Sequence, residues 1–92
     1  MADYLDQVSE FVTDTSYDDL PDATVERARR VIADTISAIA AGSAEPEVAA
    51  LTARMAAQEG PSSVIGAGRR TLPATAAFLN GTSGTFLELD EG

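Results

Sequence analysis

Three carboxylates lie within four residues near the end of the chain. They are Glu88, Asp90 and Glu91, and they follow the apolar pair Phe86 and Leu87. Crowding and burial both favour the protonated form of a carboxyl group, so one acid could donate a proton while the others orient a base. The cluster is therefore a candidate for general acid–base chemistry.

Two other interpretations of the cluster remain open. The acids could form an ordinary solvated helix end or chain terminus. They could also gather oxygen ligands for Ca²⁺ or Mg²⁺, although the glycine-hinged layout of a calcium loop is absent. We expect neither a metal nor a cofactor to be required.

The rest of the composition narrows the available chemistry. The chain has no Cys and no His, and all six of its basic residues are Arg. Without these residues there is no thiolate zinc site, no imidazole base and no lysine amine. Chemistry within the 92 residues must use carboxylates, hydroxyls, Tyr or Arg, so we expect the isolated chain to be inactive.

The charge balance is strongly acidic. The formal net charge is −9, and the first 26 residues hold eight acids and no base. This charge argues against nucleic acid or an anionic membrane as a partner, because both would repel the chain. A lysine-free acidic surface could also reflect adaptation to high salt.

No targeting or membrane segment is recognisable. The longest apolar stretch, near residues 32–41, is too short to span a bilayer. The chain starts Met1-Ala2-Asp3, without the basic start of a signal peptide. We therefore expect a cytoplasmic protein.

Hydrophobic periodicity predicts an all-α fold built from antiparallel helices in one domain. Apolar residues recur at helical spacing in residues 4–13, 22–41, 46–59 and 72–87. Proline opens three of these segments, and Gly42 and Gly60 are natural stops. The inner face of the third segment is expected to include Val48, Leu51, Met55 and Ala56.

One segment breaks the helical pattern. Val64 and Ile65 are β-branched and bounded by Pro and Gly, which predicts a short extended segment near residues 62–66. The Gly66-x-Gly68 pair lacks the further residues of a phosphate-binding loop. The following Arg69 and Arg70 could meet an anionic substrate, but exposed turn arginines are the simpler interpretation.

The last helix segment is built mainly from small residues. Asn80-Gly81 is also a hairpin-turn dipeptide, but its Ala-rich flanks favour a helix. Glycine inside a helix costs about 1 kcal/mol relative to alanine. Such a cost is tolerable where a second backbone must approach closely. A helix with a face of small residues therefore suits the centre of a helical bundle.

The order of these pieces resembles the amino-terminal region of the MmgE/PrpD family. The likeness covers the chain from about Leu5 and rests on the order of three stretches: "YDDLPDATVERARRVIADTISAIAAGS", "SSVIGAGRR" and "LPATAAFLNGTSGTFLELDEG". The family includes 2-methylcitrate dehydratases, cis-aconitate decarboxylases and iminodisuccinate epimerases. The resemblance implies a cofactor-independent lyase or isomerase acting on small di- or tricarboxylates.

The resemblance also implies an architecture. Family members are several times longer and combine a large helical domain with a smaller lid domain. Residues 1–92 are then expected to be the front part of the helical domain. A homo-oligomer, or association with the missing remainder of the fold, is the expected assembly.

The site residues carry over position by position. The family motif of Asp, an apolar residue, Asp, Asp and often Thr aligns with residues 88–92. Its first acid, an active-site residue in relatives, maps to Glu88, which is one methylene longer than Asp. With this likeness, we predict Glu88, Asp90 and Glu91 as catalytic residues of the complete protein. The Thr position is Gly92, which has no side chain to make the contact that Thr makes in relatives. A His-Pro segment and later catalytic His and Lys residues follow in relatives and are absent here.

A second function class remains open. The chain could be a non-catalytic helical module that binds another protein through its apolar faces and its small-residue helix.

Overall fold

The computed structural model describes residues 3–88. These residues form four α-helices, one turn of 3₁₀-helix and one β-hairpin, so the predicted mainly α-helical fold is confirmed. The chain divides into two units, residues 1–30 and residues 31–92, which are described separately. None of the helices in the described part combines the length and the apolar character that a membrane crossing requires.

The first unit contains helix α1 (Tyr4–Asp14), a 3₁₀ turn (Tyr17–Asp19) and the beginning of helix α2 (Asp22–Ser43). Local polar contacts define its helix starts. The Asp3 carboxylate accepts hydrogen bonds from the backbone N–H groups of Leu5 and Asp6 and so caps α1. The Asp19 carboxylate accepts the Ser16 backbone N–H at 2.8 Å. No residue of α1 is buried.

The second unit contains the end of α2, helix α3 (Pro46–Met55), strands β1 (Ser62–Val64) and β2 (Arg69–Thr71), and helix α4 (Pro73–Phe86). Its core consists of Ala56, Val64, Ala76 and Leu79, with Leu51 packed against them. Val48 is also buried, as predicted for α3, but Met55 is 40% exposed and is not part of the inner face.

The predicted extended segment is the first strand of an antiparallel hairpin. Ser62 pairs with Thr71, and Val64 pairs with Arg69. Gly66 and Gly68 both have positive φ angles, of 84° and 65°, in the connection between the strands. Glycine adopts this conformation without steric cost, so the glycine pair makes a turn and not a phosphate loop. The second strand was missed because Arg69 and Arg70 read as turn residues.

The end of α2 also differs from the prediction. Gly42 was expected just beyond the helix, but it lies inside α2 and is buried. A Cβ atom at this position would collide with the backbone carbonyl oxygen of Ser83. Gly42 therefore allows the backbones of α2 and α4 to approach closely, and it does not end a helix.

Candidate functional site

Helix α4 ends two residues before the first acid of the predicted cluster. Leu72 is its N-cap and Pro73 occupies its first turn, as the sequence predicts. Ala76, Leu79, Ser83 and Gly84 are buried and lie along one face, spaced three, four and one residue apart. The Asn80-Gly81 pair is inside this helix, which settles the choice between helix and hairpin turn.

The buried face of α4 is kept small by close backbone contacts. The Ser83 carbonyl lies against Gly42 of α2, and the Cβ position of Gly84 lies 3.2 Å from a side-chain carbon of Ile39. A larger residue at Gly42 or at Gly84 would move the two helices apart. The small residues at this contact therefore fix where α4 lies. The expected close approach of a second backbone occurs at Gly42 of α2 and not at the glycines of α4, because Gly84 meets a side chain and Gly81 meets nothing within 4 Å.

Asn80 joins α4 to the hairpin through two hydrogen bonds. Its side-chain oxygen accepts the backbone N–H of Ile65 at 2.9 Å, and its Nδ2 donates to the carbonyl of Ser63 at 3.0 Å. Both partners are backbone groups, one in β1 and one just beyond its end. Asn80 thus fixes the hairpin on α4 and protects that strand edge.

Sequence reasoning did not find this role for Asn80. A signal was nevertheless present, because asparagine is a poor helix-interior residue unless its side chain has a specific partner. The partner itself is a backbone segment fifteen residues earlier, so only the tertiary structure could identify it.

Glu88 is the one acid of the predicted cluster that the structure describes. It follows the end of α4, its side chain is exposed, and its backbone N–H donates to the carbonyl of Thr85 at 3.1 Å. Its φ angle is 55°, and it is the only non-glycine residue with positive φ in residues 3–88. Asp90 and Glu91 lie outside the described residues.

The conformation of Glu88 is the unusual geometric feature near the cluster. A left-handed residue just after a helix is a common helix ending, but glycine normally occupies it. A side chain there costs roughly 1–2 kcal/mol. Strained residues of this kind often mark functional sites, where the surrounding structure holds them in place.

The two adjacent arginines belong to β2, not to a turn, and both are exposed as predicted. Arg69 Nη1 donates to the Ala56 carbonyl at the end of α3, at 3.4 Å. The pair borders an open concave surface that is also lined by Ala57 and Glu59. Glu59 lies on the same surface, so one carboxylate opposes the two guanidinium groups there.

Within residues 3–88, no three acidic side chains come together in a way that could hold a metal ion. The predicted cluster extends beyond that range, so its metal-binding interpretation lies outside the described residues.

A family model described as the MmgE/PrpD N-terminal domain matches residues 6–92. No curated protein matches the chain, and no solved structure matches it. The matched range includes the hairpin, all of α4 and the three predicted acids.

Proposed function

Because the chain belongs to the MmgE/PrpD family, we propose that it supplies the opening helices of a cofactor-independent lyase or isomerase. The proposed substrates are small di- or tricarboxylates, with 2-methylcitrate dehydration as the leading reaction. The family match supports the general class, and the relation to 2-methylcitrate rests on the resemblance of the motifs. In this proposal, Glu88, Asp90 and Glu91 form part of one wall of the active site.

The observation that carries the site assignment is the left-handed backbone of Glu88. This conformation holds the residue at the end of a helix that is itself fixed by Asn80 and by the close approach of Gly42 to Ser83. A carboxylate placed by a rigid support is suited to proton transfer, which requires a defined distance to the reacting carbon.

The remaining groups must come from outside these residues. Removing a proton next to a carboxylate requires a base, and the substrate and its developing negative charge require cationic partners. The chain has no His and no Lys. We therefore propose that residues not included in this sequence provide the base and most of the substrate-binding charge.

The test uses the product of the complete reading frame that contains these residues. It is assayed with 2-methylcitrate, citrate and cis-aconitate by following the change in absorbance of a conjugated double bond, and with iminodisuccinate by following the interconversion of its stereoisomers. Turnover of at least one substrate is expected, whereas the 92-residue chain alone is expected to be inactive. The lyase or isomerase proposal fails if the complete product acts on none of them.

The site assignment has its own test. Glu88→Gln should lower turnover by about 100-fold or more, which is the usual scale for loss of an acid–base group. Glu88→Asp should retain most activity because it restores the residue typical of the family. Glu10→Gln on α1 is the matched control and should leave turnover unchanged. Equal turnover for Glu88→Gln and Glu10→Gln would remove Glu88 from the site.

The second candidate function is a non-catalytic interaction module. It is favoured by the large apolar side chains that remain exposed on α1. The small-residue face of α4 is buried in the described structure, so a module would have to use other faces. A reading frame that continues into a His-Pro segment would favour the enzyme, and a genuine stop codon would favour the module.

A further inference from the structure

Asn80 and Gly81 form a pair of residues that can react with each other. Asn80 is the only asparagine in the sequence, and a glycine follows it directly. The backbone nitrogen of the residue after an asparagine can attack the side-chain amide carbon when the two atoms meet. Glycine allows this approach most easily because it has no Cβ atom and rotates freely about its backbone bonds.

The reaction has two steps, and their atoms balance. In the first step, the Gly81 nitrogen forms a bond to Cγ of Asn80 and loses its proton. The side-chain nitrogen leaves as ammonia, and a five-membered succinimide ring remains. In the second step, water adds to one of the two ring carbonyls and opens the ring, which gives aspartate or isoaspartate at position 80. One water is consumed and one ammonia is released, so no other reactant is needed.

In the described structure, helix α4 opposes the first step. Both residues lie inside the helix, where the Gly81 N–H donates to a carbonyl four residues earlier and is not free to attack. Ring closure also requires rotation about the Cα–C bond of Asn80, away from the helical ψ angle of about −42°. The side-chain amide is held as well, by the Ile65 N–H at 2.9 Å and the Ser63 carbonyl at 3.0 Å.

The helix is maintained at this point by its packing and not by its own sequence. Residues 80–85 read Asn-Gly-Thr-Ser-Gly-Thr, and none of these residues is a strong helix former. The backbone of Ser83 packs closely against Gly42 of α2, and this contact keeps the segment in place. When the contact opens, the segment can leave the helical state, and the Gly81 nitrogen is then free to attack.

We propose that Asn80 is a conditional modification site, at which loosening of α4 starts conversion to aspartate and isoaspartate. This inference is independent of the proposed enzymatic activity. Both products lose the Nδ2 donor and bring a carboxylate oxygen toward the Ser63 carbonyl oxygen, so the two oxygens repel. Isoaspartate also adds a methylene to the main chain and interrupts the hydrogen bonds of α4. The modification therefore detaches the hairpin, and refolding cannot reverse it.

The composition of the chain makes this conversion easy to measure. Asparagine occurs once, and no aspartate is followed by glycine. Isoaspartate that forms in this chain is therefore expected at position 80 before any other position. Cleavage after Arg70 releases the peptide that contains this position, and mass spectrometry of that peptide follows the loss of the amide.

The first test incubates the 92-residue chain at mildly alkaline pH, in buffer and in concentrated guanidinium chloride. The rate of conversion in buffer should be at least about tenfold lower than in denaturant, because only the opened segment reacts. Gly42→Ala loosens the contact with Ser83, so it should raise the rate in buffer at least about threefold and leave the rate in denaturant unchanged. Ser37→Ala, at an exposed position of α2, is the matched control and should change neither rate.

A second measurement identifies the attacking atom. In guanidinium chloride, Gly81→Ala should slow the conversion several-fold, because its Cβ hinders the approach of the nitrogen to Cγ. Hydroxylamine opens a succinimide ring and cleaves the chain there, so fragments 1–80 and 81–92 report the ring itself. Asn80→Gln keeps the amide but would need a larger ring, and it should give neither cleavage nor isoaspartate.

Three outcomes would overturn the proposal. One is an equal rate in buffer and in guanidinium chloride, which would mean that the helix does not protect Asn80. Another is a Gly42→Ala rate in buffer that equals the rate of the unchanged chain. The third is conversion to aspartate alone, without isoaspartate and without hydroxylamine cleavage, which would indicate direct hydrolysis of the amide by water.

Discussion

The two units of this chain are helical to a similar fraction but differ in what stabilises their helices. In residues 31–88 the side chains of Val48, Val64 and Leu79 are 3% exposed or less. In residues 3–30 no side chain is buried, and only Thr15 and Val25 are partly covered. Helical periodicity therefore produced a packed core in one unit and an uncovered apolar stripe in the other.

The hydrogen bonds differ in the same way. The side-chain hydrogen bonds of the first unit join residues two or three positions apart, as at Asp3 and Asp19. Those of the second unit include the bonds of Asn80 to the hairpin and the Thr71 hydroxyl donating to the carbonyl of Gln58 at 2.7 Å. Short helices with only local support are marginal in water, so we expect α1 to be less stable than the helices of the second unit.

The largest change in the free energy of unfolding is expected from a substitution in the core of the second unit. Leu79 is fully buried, and Leu79→Ala should lower the free energy of unfolding by about 2–5 kcal/mol because it leaves a cavity. Phe78→Ala on the same helix removes a side chain that is 55% exposed and should cost much less. Urea denaturation followed by circular dichroism measures both, and similar losses would contradict the assigned core.

Two helix glycines provide the next comparison. Gly42→Ala should lower the free energy of unfolding by about 1–3 kcal/mol, because the new Cβ meets the Ser83 backbone. Gly81→Ala meets nothing within 4 Å and should instead raise it by up to about 1 kcal/mol. Opposite signs in the same denaturation assay are expected. Two stabilising substitutions would show that α2 and α4 do not approach closely at Gly42.

Substitutions of Asn80 test whether its side chain attaches the hairpin to α4. Asn80→Ala leaves the Ile65 N–H and the Ser63 carbonyl without their partner and should cost about 1–2 kcal/mol. Asn80→Asp keeps an acceptor for Ile65 but loses the donor to Ser63, so its cost should also be positive. Hydrogen exchange should show faster loss of the Ile65 amide proton in Asn80→Ala. An unchanged exchange rate would exclude this bond.

The smallest effect is expected in the first unit. Glu26 pairs with Arg29 and Arg30 at 4.0 and 3.5 Å, and all three side chains are more than half exposed. Glu26→Gln should therefore change the free energy of unfolding by no more than about 0.5 kcal/mol, since exposed pairs contribute little. A loss as large as that of Leu79→Ala would mean that this region is packed more tightly than its exposure indicates.

Much of the fold followed from local patterns. Proline at the first turn of α3 and α4, the apolar periodicity and the β-branched pair at Val64 predicted the element order and most boundaries within a few residues. The predictions that were wrong concern long-range contacts. Gly42 was taken as a helix end, and Met55 was placed on an inner face, because sequence spacing does not show which neighbour approaches a helix.

For the candidate site as well, some features could be predicted from the sequence and others are seen only in the structure. The acidic cluster and its likeness to a family motif are visible in the sequence, and the family itself is confirmed. The left-handed conformation of Glu88 could not be predicted, because glutamate has no preference for positive φ. Its catalytic role, and the roles of Asp90 and Glu91, stay predictions.

The sequence by itself determined where the helices lie, the absence of imidazole and amine chemistry, and the acidic charge. These properties depend on side-chain type and on spacings of three or four residues. Only the tertiary structure decided which apolar faces become buried, which glycine admits a second backbone, and that Asn80 binds the hairpin. Those features depend on atoms that are distant in sequence, and their energies arise from burial and from hydrogen bonds that exist only once the elements pack.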